Sequence, residues 1–208
     1  MKLVNSILNQ SLRGLSHCQM WPSYRMHRPT SVAEHSFYVS FLTNVILEDL
    51  RAKSPGFWDE MVTTLGVVDP YRLLGKALTH LIPLRHGPDA PKNLSSLSLS
   101  KEHFPDRIAA LYDAYESVEN PIENAILQIA ALIAEAQLFC EEAEMGNMQA
   151  LSYLRNHLLL HVRSKLRELN EDGIPSEIVS YYKALMKSIR AFDPKNLSSI
   201  YLGMTYRE

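Results

Sequence analysis

The sequence predicts an all-α protein, and three observations carry that prediction. Apolar residues recur at helical spacing through most of the chain. No segment of useful length alternates in the two-residue period of a half-buried strand. The breaks between periodic segments fall on glycine, proline and capping residues of the kind that start or stop helices. About six to eight helices are expected, and 208 residues fit a single domain over 1–208 with a substantial core.

Taken in order, residues 3–15 carry Leu3, Ile7, Leu8, Leu12 and Leu15 at helical spacing, ending near Gly14. A loop follows over 16–29, broken by Pro22 and Pro29 and rich in His17, Trp21, Tyr24, Arg25, His27 and Arg28. Loops bearing such groups often carry function. The next helix, about 31–50, opens with Ser31 and Glu34 three residues apart, which is capping-box spacing. His35, Val39, Leu42 and Ile46 then define its inward face. A turn at 53–56 leads to a short helix over 57–65. Asp69-Pro70 then marks a helix start, with Asp69 as cap and Pro70 in the first turn. That helix should run to about Leu81, with Leu74, Ala77, Leu78 and Leu81 as its apolar face.

Residues 82–100 hold Pro83, Gly87, Pro88 and Pro91 and end in a serine-rich run. A segment this long and irregular inside a compact domain is usually functional or mobile. Helices are expected again over 103–117, over 121–145 with a stop at Gly146, over 148–169 with a stop in 170–173, and over 175–191.

Composition narrows the classes of function. Hydrophobic residues are 46% and charged residues 21% of the chain, the balance of a soluble globular protein. A net charge of −2 and a pI near 6.4 argue against bulk binding to duplex nucleic acid or to an anionic membrane. Cys18 and Cys140 are too few for a disulfide framework and match no zinc module. The first residues lack the apolar core of a signal peptide. The most apolar stretch, 127–139, is short for a membrane span and carries Gln128, Glu135 and Gln137. A cytoplasmic protein with reduced thiols is expected.

His35 in a first helical turn and His80 near a helix end suggest metal ligands, since imidazole suits several divalent ions and two helices can bring one face of each together. A centre for phosphate-ester hydrolysis would also need carboxylates to hold the ion and orient its water. Trp21-Pro22, the run Ser-Val-Ala-Glu-His-Ser at 31–36, and Ala-Leu-Thr-His at 77–80 stand in order along the chain. After them come Gly-Pro-Asp-Ala-Pro at 87–91, Gln-Ile-Ala-Ala-Leu at 128–132 and Glu-Glu-Ala-Glu-Met-Gly-Asn at 141–147. This ordered set resembles the HD-domain phosphohydrolases, in their 5′-deoxynucleotidase branch, over roughly residues 1–165. The helix at 175–191 is expected to pack on that domain.

The resemblance implies an HD-domain-like helical bundle whose metal is held by the histidine of the Glu-His-Ser helix, a His-Asp pair and a later aspartate. An acid just beyond the pair serves the phosphoryl chemistry. Carried over, the histidines are His35 and His80. The aspartate of the pair falls on Leu81, the catalytic acid on Leu84 and the late aspartate on Ala130. Asp89 matches an acidic position near the substrate, and Trp21 a residue that packs on the sugar. The arginine beside that tryptophan is Met20 here, leaving Arg25 or Arg28 to serve phosphate.

Leu81 and Ala130 cannot coordinate an ion, so the expectation is a non-catalytic relative with no required cofactor. It would bind a nucleotide or other phosphorylated small molecule, or regulate, through a pocket of Trp21, Arg25, Arg28, His35, His80 and Asp89. The alternative is an active phosphohydrolase on deoxynucleoside monophosphates, with a divalent metal on His35, His80 and His86 and with Asp89 as the candidate catalytic group. Glu34 is a further candidate for replacing a lost ligand. A third reading is a helical protein-protein interaction module. The branch also implies a homodimer, with helices 121–145 and 175–191 as candidate faces.

Other side chains read more plainly. His157 and His161 share a helix face but lack the glutamate of a His-Glu-x-x-His helix, which favours a structural or surface role. Tyr181, Tyr182 and Met186 read as core or a helix interface. Arg163, Lys165 and Arg167 read as a solvated face, and Cys140 as an inert thiol.

Overall fold

The computed structural model describes residues 19–21, 24–79 and 120–194. The helices expected over 3–15 and 103–117, and the irregular segment 82–100, lie outside these residues. About 79% of the described residues are helical and none forms a strand; an isolated antiparallel bridge joins Gln19 to Ser31. The protein is all-α. Six continuous helical segments are described, at the low end of the number expected.

Helix α1, Val32–Lys53, begins as its first residues require. Ser31 Oγ accepts the Glu34 N–H while the Glu34 carboxylate accepts the Ser31 N–H, closing the capping box. Val39, Leu42, Ile46, Leu47 and Leu50 are buried along it. Because Leu50 still faces inward, the helix runs on to Lys53 before Pro55. Helix α2, Pro55–Trp58, continues as a π-helical turn over Asp59–Thr64 and ends at Gly66, whose φ of 60° is left-handed.

Helix α3, Pro70–Thr79, starts as expected: Asp69 Oδ1 accepts the N–H groups of Tyr71 and Arg72 at 3.0 and 3.1 Å. Its buried face differs from the one expected. Leu73, Lys76 and Ala77 are buried, Leu74 is half-buried and Leu78 is 47% exposed; Leu81 lies outside the described residues. The turn is set by charge: Glu123 draws Arg72 and Lys76, one turn apart, to the inside.

Helix α4, Pro121–Glu144, is capped by Asn120, whose Oδ1 accepts the N–H groups of Ile122 and Glu123 and whose amide donates to the Val67 carbonyl. It stops at Gly146 (φ 93°), where the Asn147 N–H reaches back to the Glu142 carbonyl. Among the described residues it alone is long and apolar enough to cross a membrane, a longer stretch than the sequence suggested. Half of that stretch is buried within the protein, and Glu123 and Glu142 near its two ends are fully buried, as in a core helix.

Helix α5 begins as Met148–Tyr153, passes through a π-helical turn at Leu154–Leu158 and continues as Leu159–Glu171. Asp172 and Gly173 (φ 68°) end it. Helix α6, Ser176–Ala191, follows Pro175.

The chain divides into two compact units. The first holds Met1–Arg25 and Pro29–Leu127; the second holds Met26–Arg28 and Gln128–Glu208. In the first, α1 packs along α3. In the second, α6 packs along the last part of α5, with Leu154, Leu158, Val162, Ile178 and Tyr182 buried. The phenol of Tyr182 is pushed to a raised pKa by that burial, with the Glu168 charge adding to it. Tyr182 is therefore core, as its spacing suggested.

Candidate functional site

The candidate site is built on the loop before α1. Its two ends are drawn together in the first unit, where the Met20 N–H donates to the Thr30 carbonyl at 2.8 Å beside the Gln19–Ser31 bridge. Trp21 follows with φ of 50°, a left-handed conformation costly for a bulky residue. The Tyr24 N–H closes a turn on the Trp21 carbonyl at 2.9 Å. The result seats the indole of Trp21, a residue only 8% exposed, edge-on against His35, with ring centroids 5.3 Å apart and planes at 88°. His35 is itself buried, in the first turn that the capping box fixes. Ser36, the next residue along the helix, is 3% exposed, and its hydroxyl has no hydrogen-bond partner among the described residues.

The structure therefore brings Trp21 and His35 together. Arg25 and Arg28 are on the same loop and both are exposed. His80, His86 and Asp89 lie outside the described residues, as do Leu81 and Leu84. Ala130 is fully buried in α4, where its methyl group has no lone pair to offer an ion. Glu34 is committed to the cap, accepting both the N–H and the hydroxyl of Ser31 at 2.8 and 2.9 Å. Among the described residues no three of His, Cys, Asp and Glu converge as a ligand set. Of the positions that the resemblance assigns to the metal, His35 is described with a group able to bind an ion and Ala130 has none.

In the second unit, Glu142 is 0% exposed and surrounded by donors. Its Oε1 accepts the Arg28 N–H at 2.8 Å. Its Oε2 accepts the His27 N–H at 2.8 Å and the Asn147 amide at 2.9 Å, and meets His27 Nδ1 at 3.2 Å. Burial pushes this carboxyl up, but the bonds from Asn147, Arg28 and His27 together outweigh it and hold the group below its ordinary range. Glu142 is thus ionised at neutral pH. In the sequence Glu142 stands within the run 141–147 that carries the resemblance, and an acid on the inward face of a long apolar helix is its signal.

A second buried carboxylate was missed outright. Glu123, also 0% exposed, takes the Arg72 guanidinium in a two-pronged pair at 2.7 and 3.1 Å, the Asp69 N–H at 2.9 Å and the Lys76 ammonium at 3.5 Å. The bond to Glu123 raises the pKa of Arg72 against its partial burial, with the Glu123 and Asp69 charges adding to it. This cluster joins the start of α3 to the start of α4 within the first unit. Its signal in the sequence is Arg72 and Lys76 four residues apart on one helix face.

The remaining candidates resolve simply. His157 is exposed and stacks on Tyr153, which stacks in turn on Phe139 and donates its hydroxyl to Glu135; His161 is exposed as well. Arg163 and Arg167 are exposed on α5. Cys140 is half-buried, its thiol pushed up to about 12 by burial and by Glu144 and Glu141, which leaves it a poor nucleophile. Comparison of the chain with protein-family models and with curated proteins finds no match.

Proposed function

We propose that the protein binds a nucleotide or a similar phosphorylated small molecule without hydrolysing it. In this reading it is a relative of the HD-domain 5′-deoxynucleotidases that has lost the metal centre, and it acts as a sensor or regulatory subunit, as a homodimer. The observation that carries the reading is the Trp21–His35 pair. A strained, buried indole is held edge-on to a buried imidazole, and Arg25, in the same unit, is exposed. An aromatic plane for a sugar or base and guanidinium groups for a phosphate are the elements such a ligand needs. The buried methyl of Ala130 and the capped Glu34 support the loss of hydrolysis.

The test is a melting-temperature series with deoxynucleoside monophosphates, run beside a phosphate-release assay with added manganese or cobalt. A ligand at about 100 times its Kd should add roughly 2.7 kcal/mol of stability, a shift of several degrees. Trp21→Ala should remove the shift. Phosphate release that a chelator abolishes would overturn the non-catalytic reading in favour of a metal site that uses His35, His80, His86 and Asp89. No shift with any phosphorylated ligand would favour the interaction module.

A further inference from the structure

We infer that the main-chain N–H groups of His27 and Arg28, with the His27 ring and the Asn147 amide, form a built carboxylate receptor. Its occupant is Glu142, which acts as the positioning residue for the segment that carries Arg28. Two consecutive main-chain N–H groups converging on one anion are an established way for irregular backbone to hold negative charge. Here each takes a different oxygen of the same carboxylate at 2.8 Å. The Asn147 amide and the His27 ring meet Oε2 as well, so a carboxylate with no solvent exposure has both its oxygens engaged.

Nothing in regular structure fixes residues 26–28, which have neither helix nor strand bonds. Their described long-range hydrogen bonds all end on Glu142. Without that acceptor the two N–H groups turn to water, and the segment loses the bonds that select its conformation. Asn147 has a double part. Its amide steadies Glu142, while its Oδ1 caps α5 through the N–H groups of Gln149 and Ala150. The receptor is thus anchored to the α4–α5 turn at Gly146. An amide in place of the carboxylate would not serve, because one of its two ends is a donor facing donors.

The consequence for ligand binding rests on the proposed function, in which Arg28 meets phosphate. The receptor itself does not. Amide hydrogen exchange on the full-length protein decides it. In Glu142→Gln, exchange at His27 and Arg28 should rise on the order of tenfold or more, as loss of charge-assisted bonds implies, and by more than at the α1 and α6 amides, which follow only the loss of global stability. Unchanged exchange at the two positions, or the same rise throughout the protein, would overturn the inference.

A measurement on the unaltered protein guards against a variant that fails to fold. The two amide proton shifts should titrate together with the Glu142 side-chain carbon, with one common midpoint. Shifts that stay flat through that midpoint would sink the assignment. Affinity for deoxyadenosine monophosphate is then compared between wild type and Glu142→Gln. A wild type that binds none of it removes the ligand reading and leaves the exchange result to decide the receptor.

Discussion

At the scale of single residues, the chain places two carboxylates out of reach of water and treats them differently. Glu123 meets two cations and one N–H; Glu142 meets only neutral donors and a histidine. A buried carboxylate with formal countercharges loses most when it is the member removed, because the cations are then left uncompensated. Glu123→Ala should therefore cost about 3–5 kcal/mol. Lys76→Met should cost about 1 kcal/mol or less, because Arg72 keeps both oxygens of Glu123 and the methionine fills the space. Urea unfolding of the two variants beside wild type measures the difference. Equal losses would mean that Lys76, not Arg72, neutralises the acid.

At the scale of elements, what could be read from the sequence is what local chemistry decides. Ser31 with Glu34, Asp69 with Pro70, and Gly146 each fix a terminus through bonds spanning a few residues, and the helices begin and end there. The faces of α3 and the loop before α1 were not legible in the same way. The side of α3 that turns inward depends on an acid 51 residues from Arg72. The conformation of residues 26–28 depends on an acid 114 residues from Arg28. Hydrophobic spacing carries no trace of either, and it favours Leu78 over Lys76 for the core. Similarly, the sequence offered Trp21 as a ligand residue, but its left-handed backbone and its contact with His35 follow from closure of the loop by Met20 and Thr30.

The capping box gives this scale its own prediction. Ser31→Ala removes one accepted and one donated bond while leaving the Glu34 carboxylate on the residue 31 N–H. The expected cost is about 1 kcal/mol in urea unfolding. Glu34→Gln, which keeps an acceptor at that position, should cost less. Reversal of that order would mean that Glu34 acts mainly through its charge at the helix start.

At the scale of the whole molecule, the buried Glu142 bears on how stability varies with pH. Glu142 has a carboxyl held below the ordinary value, so the folded state binds its proton less readily than the unfolded chain does. Its contribution is fully present above the unfolded value, about pH 4.3, and is lost as pH falls through the lower folded value. The groups facing it oppose protonation together: a protonated Glu142 would carry a hydroxyl into a space already filled by the N–H groups of His27 and Arg28 and the amide of Asn147. The unfolding free energy of the wild type should therefore fall below about pH 4 with a slope that includes one proton from this group. Glu142→Gln has no such proton to take up. Its curve should start lower at pH 7 and run flatter over the same acid range, so that the two curves converge toward acid. Chemical unfolding at a series of pH values tests this directly. Parallel curves would show that Glu142 titrates alike in the folded and unfolded chains, which its fully buried position among four donors does not allow.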